Sequence, residues 1–176
     1  SYILHRWLKV RKDYGALRLG YERLLRLNEG VIKETKLGAL PYGDMRDILN
    51  KRLSAMAEFL HEPVPAAFHK AKERVEELRQ NRDAIVESIV FLYVVEFPDF
   101  ILDLRSYGLT MLETGICCLY LLGLNIPEVG DVIGRRSSIY NLNSVIREKL
   151  GNSKIDTKLD KWIVKYFTER YENGAH

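Results

Sequence analysis

The residues whose types could do chemistry gather between positions 135 and 149: Arg135, Arg136, Ser137, Ser138, Tyr140, Asn141, Asn143, Ser144, Arg147 and Lys149. Arginine and asparagine form paired hydrogen bonds to guanine and adenine edges, and serine, tyrosine and backbone N–H groups at a helix start hold phosphate. These types therefore suit contact with double-stranded DNA. In that reading Arg135 and Arg136 grip backbone, while Tyr140, Asn141, Asn143 and Arg147 approach base edges. A small helical bundle with a polar outer face accounts for the same residues, and the types alone do not separate the two.

Such chemistry needs a short helix held proud of a scaffold. Ile139, Leu142, Ile146 and Leu150, spaced 3, 4 and 4, form one apolar stripe that turns the polar set outward. Ile116, Leu119, Tyr120, Leu122, Leu124, Val129, Val132 and Ile133 supply the rest of a small core. The pattern predicts helices over 99–106, 110–122, 126–133, 137–150 and 157–171. Asn125 is placed to cap the helix carrying Pro127, because proline is tolerated in a first turn. Leu159, Trp162, Ile163, Tyr166 and Phe167 give the last helix an apolar face.

Upstream, Ile3, Trp7, Val10, Tyr14, Leu17, Tyr21, Leu24, Asn28 and Val31 alternate at spacings of 4 and 3, the seam of a coiled coil. Asn28 would be a polar core residue that fixes register. Gly15, Gly20 and Gly30 each weaken the helix by about 1 kcal/mol relative to alanine. A second copy of the chain would offset that weakness, so self-association through Trp7, Tyr14, Leu17, Tyr21, Leu24, Asn28 and Val31 is expected. After the turn-rich Gly38–Gly43, Asp44 fits an N-cap for a helix whose face carries Met45, Ile48, Leu49, Arg52, Leu53, Met56, Phe59 and Leu60. Pro63 and Pro65 end it. A long helix from about Ala66 to Glu96 follows, charged in its first half and apolar in its second, and residues 44–98 are expected to form an antiparallel helical pair. Pro98 restricts Phe97 and breaks the chain there.

Composition agrees with an all-helical protein: 47% apolar, 29% charged and only 5 prolines in 176 residues. The net charge of +3 is too small to imply nucleic acid by itself. From Arg135 to His176, however, nine Lys or Arg face five Asp or Glu, a local net of +4. Cys117 and Cys118 are neighbours that point different ways on a helix, so two buried thiols are expected rather than a bridge. The four histidines are scattered, and neither a metal site nor a cofactor is expected. Phe59-Leu60-His61-Glu62-Pro63 faintly resembles the phosphoacceptor box of sensor kinases. Its proline comes one place early and no ATP-binding segment follows, so no enzyme activity is expected.

Residues 109–151 resemble the helix-turn-helix of the LuxR/NarL response-regulator class. The resemblance rests on Leu109-Thr110, Glu113, Gly123-Leu124-Asn125, Glu128-Val129 and Lys149-Leu150-Gly151. It departs at Tyr140, where that class usually has lysine, and at Leu142, where it often has histidine; both usual residues face DNA. Most of the chain is also similar to the cytoplasmic tails of bacterial tetratricopeptide-repeat membrane-tethered regulators. Phe97-Pro98-Asp99-Phe100, the run from Cys117 to Leu124, and Glu128-Val129-Gly130 carry that likeness. Tyr2 to Lys12 passes from apolar to basic with Trp7 between, which fits a cytoplasmic membrane exit and equally an ordinary amphipathic helix start.

Together these readings predict an all-α protein. Residues 1–98 are expected to form a coiled-coil and helical-hairpin linker or dimerisation region. Residues 99–176 are expected to form a LuxR-like helix-turn-helix domain with an extra C-terminal helix. The resemblance implies a dimeric DNA-binding transcriptional regulator, the cytoplasmic output part of a larger sensor with upstream sensor and membrane segments, tethered to the inner membrane. The alternative is a degenerate helix-turn-helix that serves protein–protein signalling or assembly.

Overall fold

The computed structural model describes residues 2–5, 40–61, 73, 76–77, 79–151 and 158–172. Among them every regular element is helical. We label them α1 (Tyr42–His61), α2 (Arg82–Glu96), α3 (Pro98–Ser106), α4 (Met111–Leu121), α5 (Ile126–Ile133), α6 (Ile139–Lys149) and α7 (Leu159–Phe167). A π-helical turn over Thr168–Glu172 continues α7. The expected coiled-coil seam through Trp7, Val10, Tyr14, Leu17, Tyr21, Leu24, Asn28 and Val31 lies outside the described residues, as do Pro63 and Pro65. Ile3, the first position of that seam, is described as helical and exposed. No described helix is long and apolar enough to cross a membrane.

Local chemistry sets the helix ends. Thr110 and Glu113 form a reciprocal capping box at the start of α4, and Asn125 and Glu128 form another at the start of α5. Pro98 opens α3 at a position where its missing N–H costs nothing. Gly134 ends α5 in the left-handed region, at φ 71°. At α1 the helix begins two residues before the expected cap: the Met45 N–H donates to the Pro41 carbonyl at 3.0 Å. Asp44 thus sits inside the first turn, where its charge complements the helix dipole.

α4 is the central helix. It is buried from Glu113 to Leu121 and packs against α2, α3, α5 and α7. Its crossing with α2 is tightest at Gly115, where an added Cβ would lie 2.2 Å from Val86 Cγ1. α2 buries residues on almost every side, which accounts for its unbroken apolar run. α1 lays Met45, Leu49, Leu53, Met56 and Leu60 mainly against α5. Of the expected antiparallel pair within 44–98, the first half of the second helix falls largely outside the described residues; its described part, α2, touches α1, but each of the two has its chief neighbour elsewhere. The apolar surface of α2 is already occupied by α3 and α4.

The contact between α1 and α2 is aromatic. Tyr42 and Tyr93 share an Oη–Oη hydrogen bond of 2.8 Å. Phe167 of α7 packs among them, with ring centroids 4.8 Å from Phe97 and 5.1 Å from Phe100. Each such pair contributes roughly 0.5–1.5 kcal/mol beyond the area it buries. Burial pushes the Tyr42 hydroxyl up to about 12, so this cluster carries no charge at neutral pH. One hydrophobic core extends from Met45 to Phe167 and runs across residue 98 without a gap.

Candidate nucleic-acid interface

α5, the turn 134–138 and α6 are built as one piece. The turn folds directly onto α5: the Arg135 N–H donates to the Gly130 carbonyl at 2.8 Å. An added Cβ at Gly130 would meet the Arg136 Cα at 2.8 Å, so the backbone approach requires glycine there. Gly134 supplies the left-handed residue that starts the turn, and the Arg82 side chain lies over it. Asn50 of α1 donates to the Leu122 carbonyl at 2.8 Å and ties the preceding turn, between α4 and α5, to the scaffold. The unit is thereby fixed from behind by α1, α2 and α4.

α6 buries Ile139, Ile146 and Leu150 and half-buries Leu142, the expected stripe. Its outer side carries Tyr140, 61% exposed, together with exposed Asn141, Ser144, Val145 and Glu148. Arg135, Arg136 and Ser137 are exposed just ahead of it, while Ser138 and Arg147 are half-buried. Six of the ten sequence-chosen residues, Arg135, Arg136, Ser137, Tyr140, Asn141 and Ser144, are therefore exposed around the start and outer face of α6, with Ser138 and Arg147 half-buried beside them.

Asn143 and Lys149 are placed differently. Asn143 is only 7% exposed, and its Oδ1 accepts a hydrogen bond from the Tyr120 hydroxyl at 2.8 Å. It lies four residues after Ile139 and three before Ile146, so it occupies the middle of the buried stripe rather than the outer face. Lys149 lies over the start of α4. Its Nζ donates to Glu113 Oε1 at 2.6 Å and to the Gly108 carbonyl at 3.3 Å. Burial alone would push the Glu113 carboxyl up, but the bonds from Lys149 and Thr110 outweigh it and hold the group below its ordinary range. Both residues are spent on positioning α6, and neither is presented to a ligand.

Asp131 is a neighbour of the candidate site that residue types alone did not single out. Its carboxylate lies 3.3 Å from Arg136 Nη1 and 3.5 Å from His61 Nδ1, with its side chain 10% exposed. Arg136 is therefore partly committed, while no described carboxylate pairs with Arg135. The available signal was spacing: Asp131 lies near the end of α5, five residues before Arg136, and a tight turn folds the one back on the other. Val145, 43% exposed, also belongs to the outer face.

Cys117 and Cys118 are free and fully buried, and burial pushes both thiols well up, so they stay protonated. Among the described residues no three His, Cys, Asp or Glu side chains gather as a metal site. Comparison with family models, with curated proteins and with solved structures gives no match to this chain.

Proposed function

We propose that the chain is a DNA-binding regulator in which α6 enters the major groove and the turn 134–138 grips the backbone. The single observation that carries this reading is the uncovered outer face of α6, with Tyr140, Asn141 and Ser144 exposed and Arg135 and Arg136 at its N-terminal end. An exposed helix start with backbone N–H groups and two arginines suits phosphate, and Asn141 and Arg147 are the base-reading types. The reading includes a dimer formed through residues 3–31 and attachment to upstream sensor and membrane segments, both taken from the heptad and the resemblance. The test is a gel shift on genomic fragments at low and moderate salt. Retarded complexes at low salt that weaken steeply with salt are expected; no complex at either salt overturns the reading.

A second reading, a protein-binding module, is favoured by a specific observation. Two of the outer residues, Tyr140 and Val145, are large, apolar and exposed, and Asn143 and Lys149 are withdrawn from the surface. On this reading the double change Arg135→Ala with Arg136→Ala leaves regulation intact. Loss of regulation with the fold preserved sinks it.

A further inference from the structure

α7 is the extra helix of the predicted architecture, and the reading above gives it no task beyond packing. Its buried face is Leu159, Ile163 and Phe167. On an exposed edge stand Lys158, Lys161 and Lys165, spaced 3 and 4 residues apart. No described carboxylate pairs with any of the three. They span about 10 Å along the helix, enough to meet two neighbouring phosphates of one strand.

Lys161 and Lys165 border a groove of about 480 Å³ between α7 and the end of α4. Tyr120 lines that groove and also donates its hydroxyl to Asn143 of α6. α6 and α7 are also in direct contact, so the groove belongs to a helix that neighbours the candidate interface. Two acids line it as well. Asp160 lies in the first turn of α7 with its Oδ1 enclosed, where the helix dipole balances it. Glu169 is exposed one turn beyond Lys165 and marks the far limit of the cationic edge. Three exposed cations in a row, with no described carboxylate paired to any of them, on a helix that packs against α6 are complementary to a polyanion with regular charge spacing.

We infer that Lys158, Lys161 and Lys165 of α7 form a second backbone-contacting edge for the same duplex whose groove α6 enters. This inference rests on the DNA-binding reading and adds a partner surface to it. The lysines contact phosphate and carry no sequence information, so they set affinity and salt dependence and leave base preference to α6.

The test uses the full chain and mixed-sequence duplex DNA, with binding followed by fluorescence anisotropy across a salt series. Three proteins are compared: wild type, Lys161→Gln with Lys165→Gln, and Arg135→Ala with Arg136→Ala. All four positions are exposed, and helical content and melting temperature verify that each variant folds. The lysine variant is expected to lower the slope of log affinity against log salt by about 2, close to one for each phosphate that is no longer neutralised. It is also expected to weaken binding equally on all sequences. An unchanged slope in the lysine variant, with a reduced slope in the arginine variant, overturns the α7 edge and leaves the DNA-binding reading standing. Wild-type protein that binds no duplex at low salt removes both.

Discussion

The Tyr120 hydroxyl donates to Asn143 Oδ1 at 2.8 Å inside the core, and this bond sets the rotation of α6 about its own axis. Ile139 and Ile146 pack on either side of it, so the outward set follows from one inward polar anchor. Replacing Tyr120 with Phe leaves the Asn143 amide buried and unpartnered. We expect a loss of about 1–3 kcal/mol, read as a lower urea midpoint. Adding Asn143→Leu to that variant removes the stranded group and is expected to restore part of the loss. A double variant less stable than Tyr120→Phe alone contradicts this account.

A second anchor, Lys149 on Glu113, makes stability depend on pH. The folded Glu113 carboxyl titrates below its ordinary value near 4.5. Its contribution is thus complete above that value and is lost as pH falls through the folded value. Denaturation of wild type and Glu113→Gln should differ most near neutrality, with the gap closing below about pH 4.5. A gap that stays constant down to strong acid counts against the assignment.

At the α2–α4 crossing, Gly115→Ala gains about 1 kcal/mol of helix propensity but drives a methyl group into Val86. Val86 is β-branched and has little freedom to yield. The net expectation is a destabilisation of about 1–3 kcal/mol by thermal melting. Combining it with Val86→Ala should cost less than the sum of the two single changes, because the two sites meet directly.

Arg135 and Arg136 are adjacent in sequence and unequal in space. Arg136 must leave Asp131 to reach a phosphate, whereas no described carboxylate competes for Arg135. On the proposed DNA-binding reading, Arg135→Ala is therefore expected to weaken low-salt DNA binding more than Arg136→Ala. Asp131→Asn is expected to strengthen it. Equal losses from the two arginine variants would show that the ion pair does not constrain Arg136.

Much of the helical layout could be read from the residues because its signals are local. Asn125 ahead of Pro127, the break at Pro98 and the apolar spacing put three helices, expected over 99–106, 110–122 and 126–133, within a residue of their observed ends, whereas the capping boxes and the left-handed Gly134 emerge only in the structure. What could not be read was which faces meet. The principal neighbour of α1 is α5, far downstream in the chain, and no periodicity encodes that choice. Asn143 is the instructive case at the candidate site. Its spacing from Ile139 and Ile146 put it on the apolar stripe, but its polarity argued for the surface. The conflict is resolved by Tyr120, a partner distant in sequence that supplies the one hydrogen bond making burial tolerable.

The ring of Phe167 lies 5.6 Å from that of Tyr42, so the first and last long helices of the described region interlock. A nascent chain cannot complete this junction until α7 has left the ribosome. Until then Tyr42, Tyr93, Phe97 and Phe100 lack their central partner. The protein should consequently acquire its native fold late and all at once, and a ribosome-stalled chain ending before Leu159 should remain protease-sensitive throughout, including α1.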